Sequence, residues 1–235
     1  MITIIISTGN TELDERLGGG IPFPSLVLIE GGHGTGKTLM AQQIVWGGLR
    51  AGKRVVVCTT EDTCHGYLAR MNELGMSAED YFITGQLKIF SAQMKGVKWS
   101  KHEAELLPFA LKVFINLKKK EYDIFVLDSA SVILKYSSPS IILGLFTEAK
   151  VLTDEKKVII FTLHPGILDE ELFTQLRALA DVYFKLEEQQ IGGQVLKILK
   201  VVKMRGVLEC PRPMIAFQVY PSLGITVVPL ALVKT

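Results

Sequence analysis

Short runs of aliphatic and β-branched residues recur along this chain, separated by longer stretches whose apolar positions return at helical spacing. The runs "SLVLIE" (25–30), "RVVVCTT" (54–60), "LKIF" (87–90), "DIFVLD" (123–128), "KVIIFTL" (157–163) and "ADVYFKL" (180–186) read as strands. Between them the pattern predicts helices over 37–50, 64–74, 101–119 and 168–179, with Gly52 and Gly75 as breakers near two of their ends. Strand and helix alternating in this way specify βα units and a mainly parallel sheet. After residue 190 the pattern changes to alternating strands divided by Gly206, Pro211, Pro213, Pro221 and Gly224. The expected fold class is therefore α/β, a mainly parallel central sheet flanked by helices with a C-terminal antiparallel β extension.

Composition adds little but exclusion. With 235 residues, 48% hydrophobic and 21% charged, the chain has the make-up of one globular α/β domain spanning 1–235. A net charge of +2 gives no bulk argument for nucleic acid or an anionic membrane. Cys58, Cys64 and Cys210 are odd in number and lack CxxC spacing, which argues against a disulfide framework or a zinc site and for a reducing cytoplasm. No basic leader and no long uninterrupted apolar segment is read, so a soluble protein is expected. The "KKKE" run at 118–121 is expected to be the solvated C-terminus of a helix.

Chemistry enters at "GGHGTGKT" (31–38), which fits G-x-x-x-x-G-K-[ST] between an apolar strand and an amphipathic helix. Gly31, Gly32, His33, Gly34, Thr35, Gly36, Lys37 and Thr38 form the candidate ATP site. Backbone N–H groups and the helix N-terminus converge on phosphate, Lys37 reaches the β- and γ-phosphates, and Thr38 offers its hydroxyl to Mg²⁺. The carboxylate for Mg²⁺ is expected from Asp128, where "DIFVLDS" ends a strand. Glu61 and Asp62 in "CTTEDT" either activate water or merely cap the next helix. In "FTLHP" (161–165), Thr162 or His164 either senses the γ-phosphate or is structural.

These residues resemble the KaiC-like proteins of the RecA superfamily. The lead-in "STGNTELDERLGGGIP", the strand ending in Asp128 and Ser129, the carboxylates at 61 and 62, and "VKMRG" (202–206) occur in that family's order. Within the group, "HGTGK", "TTEDT", "FTLHP", "GGQVLKIL" and "PSLGITVVPL" are similar to the FlaH (ArlH) family, ATP-binding accessory proteins of the archaeal flagellum (archaellum) motor. The resemblance implies a RecA/KaiC-like fold, ATP with slow or absent hydrolysis, and a homo-oligomeric ring, expected to be hexameric. It implies a cytoplasmic protein held at the membrane's inner side by the motor ATPase FlaI, the ring scaffold FlaX and the membrane platform FlaJ. It also assigns Lys203 and Arg205 as trans contacts to a neighbour's γ-phosphate, whereas by themselves they are two charges on an edge strand. Asp62 departs from the two successive glutamates of KaiC, and Thr59, Thr60 and Thr63 are the hydroxyls that a KaiC-like self-phosphorylation would use.

A RecA-like DNA recombination or repair ATPase is the competing reading. The acidic "HPGILDEELFTQ" after the fourth strand would repel phosphates, so no direct DNA contact is expected, although Lys135 and Tyr136 lie after Asp128. A small-molecule kinase ranks last, for want of an arginine-rich lid. The basic stretch 91–106 with Trp99 reads as a surface loop or a partner-binding segment.

Overall fold

The computed structural model describes residues 4–92, 101–191 and 193–229; Trp99 lies outside them. In chain order the elements are β1 (Ile4–Ile6), α1 (Thr11–Arg16), β2 (Ile21–Phe23), β3 (Ser25–Gly31), α2 (Lys37–Arg50), β4 (Val55–Thr59), α3 (Cys64–Glu73), α4 (Glu79–Ile83) and β5 (Leu87–Ser91). There follow α5 (Lys101–Leu117), β6 (Ile124–Asp128), α6 (Ser131–Leu134), α7 (Pro139–Asp154), β7 (Val158–Leu163) and α8 (Glu170–Leu179). The C-terminal strands are β8 (Val182–Ile191), β9 (Gln194–Met204), β10 (Met214–Tyr220) and β11 (Gly224–Val228).

Nine strands form one sheet in the order β11-β10-β9-β8-β3-β7-β6-β4-β5, and β1 pairs with β2 separately. From β8 to β5 the neighbours are parallel, while β8 to β11 pair antiparallel, as the sequence pattern predicts. Glu30 stands level with Leu163 and Thr59 with Asp128, so the loops after β3, β4, β6 and β7 all open at one sheet edge. In an open parallel sheet that carboxyl edge is where ligands collect.

Alternate residues of the central strands feed two cores. Val27, Ile29, Val57, Val126 and Ile160 pack with α2 and α3, while Leu28, Phe125, Leu127, Ile159 and Phe161 pack with α5, α7 and α8. Helix α2 is buried nearly all round, which is why its glycines matter. A Cβ at Gly47 would come within 1.8 Å of the Ser7 carbonyl oxygen. The N-terminal segment thus lies directly on the helix that starts at the glycine-rich loop, and Gln43 fixes it by donating to the Thr8 carbonyl at 2.9 Å.

The "LGGGIP" lead-in has a physical role of the same kind. Asp14 accepts from Thr8 N at 2.8 Å and Thr8 Oγ1 at 2.7 Å, which ties the segment to α1. Gly18 lies at φ +77°, and a Cβ there would approach the Glu209 carbonyl oxygen to 2.4 Å. Arg212 N also donates to the Arg16 carbonyl at 2.8 Å, so the lead-in braces the loop that follows "KMRG".

Several boundaries differ from the sequence reading by a residue or more, two of them with a clear physical reason. Helix α5 ends at Leu117, and residues 118–121 form a turn in which Lys118 and Lys88 both bind Glu121, holding its carboxylate at a pKa of about 2. Strand β8 runs on to Ile191 instead of ending at 186, because its polar outer half pairs with β9 as a hairpin.

Two substitutions test the packing of α2. Alanine is the better helix former by about 1 kcal/mol, but at position 47 it meets backbone that cannot retreat. Gly47→Ala should destabilise by about 2 kcal/mol or more, roughly 4–8 °C in Tm for a domain of this size. Gly48→Ala meets only the flexible Ile124 Cδ1, at 2.3 Å, and should lose less. Equal melting temperatures for Gly47→Ala and wild type would refute this packing.

Candidate functional site

Strand β3 delivers the chain into the loop 31–38, and the loop delivers it into α2. Gly34 (φ +76°) and Gly36 (φ +102°) take the left-handed turns that close the loop, conformations side chains resist. Gly31 is held by space, since a Cβ would meet Thr35 Oγ1 at 2.4 Å and the Leu186 carbonyl oxygen at 2.9 Å. The N-cap of α2 is Gly36, which contributes no side-chain hydrogen bond. Its first-turn N–H groups are therefore left for an anion, with the helix dipole favouring negative charge.

Lys37 is buried and donates its ammonium to the Gly32 carbonyl at 2.8 Å, with His164 Nδ1 at 3.4 Å. Burial lowers its pKa, opposed by the charges of Glu61 and Asp128. Asp128, at the end of β6, is 1% exposed and accepts from Thr162 Oγ1 at 2.6 Å through Oδ1. Its Oδ2 has no hydrogen-bond partner among the described residues. Burial raises the Asp128 pKa, while the Thr162 and Thr38 hydroxyls pull it back. An unpaired carboxylate oxygen buried in this way costs several kcal/mol unless something binds it. One carboxylate beside one hydroxyl, with no cluster of three or more His, Cys, Asp or Glu ligands among the described residues, fits a hard cation that takes its other ligands from phosphates and water.

His164 joins the parts. Its Nε2 lies 3.4 Å from Glu61 Oε1, its backbone N donates to Ser131 Oγ at 2.7 Å, and its ring stacks on His33 at a centroid distance of 4.3 Å. A proton on Nε2 for Glu61 and a lone pair on Nδ1 for Lys37 satisfy both contacts at once. Burial is the largest cause of its lowered pKa, and the Lys37 charge adds to it. Asp62 faces elsewhere: Oδ1 accepts from Thr63 N at 2.9 Å, and Oδ2 lies 3.0 Å from Arg70 Nε. Thr59 and Thr60 are buried with their hydroxyls engaged, whereas Thr63 is exposed and caps α3 by accepting from Gly66 N at 2.9 Å.

A cavity of about 410 Å³ runs along this edge between the loop and α3, lined by Lys37, Thr38, Gln42, Glu61, Arg70 and Lys197 among others. Lys197 did not emerge from the sequence. From β9 it donates to the Gly34 carbonyl and, at 2.6 Å, to Glu188 Oε1. The signal available was the hairpin register, which sets Glu188 opposite Lys197.

Lys203 and Arg205 stand apart from all of these. Leu186 is level with Gly31, whereas Met204 is level with Val182, four residues back along β8, or about 13 Å from the loop's level. Lys203 donates to the Arg177 and Ala178 carbonyls at 3.1 and 2.9 Å, at the C-terminus of α8. Burial lowers its pKa, and Arg205 adds to the effect.

The His164 environment makes a pH prediction. Its folded-state pKa lies below the ordinary histidine value of about 6.5, so protons favour the unfolded chain and stability falls as pH drops through that value. The nucleotide-free melting temperature should fall less between about pH 7 and pH 5.5 in His164→Gln than in wild type. An equal or larger fall in the variant would contradict a histidine kept neutral by burial and by Lys37.

The KaiC ATPase family profile matches residues 6–231. The archaeal flagellar ATP-binding protein FlaH of Sulfolobus acidocaldarius is 41% identical over 230 residues, covering 97% of this chain and 99% of that one. FlaH of Methanocaldococcus jannaschii is 29% identical over 223 residues, 94% of each chain. The crystal structure of the flagellar accessory protein FlaH from M. jannaschii superposes with a TM-score of 0.84 over 97% of this chain and 99% of that chain, at 28% identity. The chain therefore belongs to the KaiC ATPase family and, within it, to the FlaH proteins.

Proposed function

We propose that this chain is an ATP-binding regulatory component of the archaellum motor, a single domain whose nucleotide state controls ring assembly and docking onto the motor ATPase. The names of its relatives, archaeal flagellar ATP-binding proteins, support the setting and the ligand. Support for Mg²⁺ is the unpaired Oδ2 of Asp128 near Thr38, the two side chains that would hold the ion against the phosphates. When bound, the ion neutralises phosphate charge. Lys37 would leave the Gly32 carbonyl for the β- and γ-phosphates, and the uncapped turn of α2 would take the remaining oxygens.

Glu61 is the carboxylate that faces this space with a histidine beside it, so it is the residue for water activation if turnover occurs. Asp62 is engaged by Arg70 and does not share that task; slow or absent hydrolysis is what the family resemblance adds to this reading. His164 touches Lys37 on one ring nitrogen and Glu61 on the other, which suits a sensor of the terminal phosphate. Thr63, as the exposed member of the three threonines, is the hydroxyl most open to self-phosphorylation.

The observation that carries the assembly reading is the position of Lys203 and Arg205. In their own chain they sit near the far ends of the strands from the phosphate loop, so a phosphate they contact belongs to another copy. A cation supplied in trans stabilises phosphate charge and makes assembly depend on nucleotide. No helix among the described residues is long and apolar enough to cross a membrane. A cytoplasmic place at the membrane, through FlaI, FlaX and FlaJ, is what the family resemblance adds to this reading.

Light scattering tests the switch. Wild type should gain mass with ATP but not with ADP or without nucleotide, while Lys37→Ala and Arg205→Ala should remain at the unassembled mass throughout. A mass that ignores nucleotide in all three proteins would sink the model. Glu61→Gln separates turnover from binding: it should retain ATP affinity within about threefold and abolish any ADP release, a loss of roughly tenfold or more in rate. Unchanged release would remove Glu61 as the activating group.

A further inference from the structure

The ion pair between Asp62 and Arg70 is built with more care than a surface pair needs. Asp62 is 15% exposed and sits over the first turn of α3, where a Cβ on Gly66 would come within 2.2 Å of its Oδ1. Thr63 N donates to that oxygen, fixing the carboxylate against the backbone. Glycine at 66 is thus the space that lets this carboxylate lie flat. Two turns along α3, Arg70 brings Nε to 3.0 Å from Oδ2. The pair is close, yet Oδ2 has no aligned hydrogen bond, so the guanidinium is restrained without being saturated.

Arg70 itself is 54% exposed, and what it faces is the ligand space. It lines the 410 Å³ cavity with Lys37 and Thr38, and it also lines a second cavity of about 650 Å³ with Thr60 and Ser131. His33, Glu61 and His164 belong to both cavities, so Arg70 stands at their junction, beside the groups around the end of Lys37. A magnesium triphosphate keeps net negative charge, and Asp128 and Glu61 add more, while of the two lysines lining the cavity Lys197 is already paired with Glu188, which leaves Lys37 little help in balancing it. A guanidinium with its terminal nitrogens unengaged by any hydrogen bond among the described residues suits a phosphate edge, which it can hold with two parallel bonds.

We propose that Arg70 binds the γ-phosphate in cis and that Asp62 is its positioning residue. This rests on the ATP-binding part of the proposed function, not on its assembly part. Position 62 then serves as the seat of a cation, and an aspartate is short enough to pack over Gly66 while leaving Arg70 pointed at the ligand.

The test is equilibrium binding of fluorescent ATP and ADP analogues to the full chain, run in both wild-type and Arg205→Ala backgrounds to separate lost assembly from a lost contact. Arg70→Gln should weaken ATP by roughly tenfold or more while changing ADP by less than about threefold. Arg70→Lys should recover part of the ATP loss, because charge returns without the fork. Asp62→Asn should also lower ATP selectively, by less than Arg70→Gln does. An ATP to ADP affinity ratio in Arg70→Gln equal to that of wild type, whether both affinities hold or both fall, overturns the proposal. If melting curves show Arg70→Gln to be unfolded, the same ratio in Arg70→Lys and Asp62→Asn decides it. Failure of the wild-type chain to bind ATP at all would instead overturn the parent reading.

Discussion

Everything at the carboxyl edge of the sheet depends on the burial of opposite charges around a helix end that has no cap of its own. Asp128, at 1% exposure, keeps one oxygen without a hydrogen-bond partner among the described residues, and Lys37, also buried, leans on a loop carbonyl. Neither group would be stable there alone, because removing a charge from water costs several kcal/mol without compensation. They are held by structure that cannot collapse around them: β3 and β6 are buried throughout, and α2 is packed on nearly every side. Residual polarity of this kind is tolerated where a ligand completes it, as a metal-bound triphosphate would.

The parallel registers then decide which groups can meet. Bringing the ends of β3, β4, β6 and β7 to one edge collects Lys37, Glu61, Asp128 and His164 from four separate segments. The antiparallel turn-back of β9 sends Lys203 and Arg205 toward the other edge and brings Lys197 up to the loop instead. One sheet thus carries a nearly complete site at its carboxyl end and a pair of cations at the opposite end, the geometry that a head-to-tail ring would need. The lead-in residues Arg16 and Gly18 brace the loop beyond those cations, which gives that family signature a mechanical explanation.

The phosphate loop and Asp128 were legible in the sequence because each is local: a strand, then a residue whose position at the strand end defines its use. The central strands were equally legible, since their apolar runs need no partner to be recognised. Arg70 and Lys197 were not, for they acquire meaning only through α3 lying over the loop and through the hairpin register. Asp62 shows the limit most clearly, because its neighbour in sequence, Glu61, suggested a shared task while its neighbour in space is Arg70. Helix α7 went unmarked, and the strands β1 and β2 are too short for their pattern to stand out.

The central claim is that the two ends of this sheet meet across copies of the chain when ATP is bound. Disulfide trapping between two differently tagged chains measures it most directly, one carrying Glu61→Cys and the other Leu208→Cys, an exposed position that leaves Lys203 and Arg205 in place, with Cys58, Cys64 and Cys210 replaced in both. The account predicts a cross-link joining the two tags that forms with ATP and is lost with ADP. Absence of that cross-link with ATP, or its equal yield without nucleotide, would contradict it.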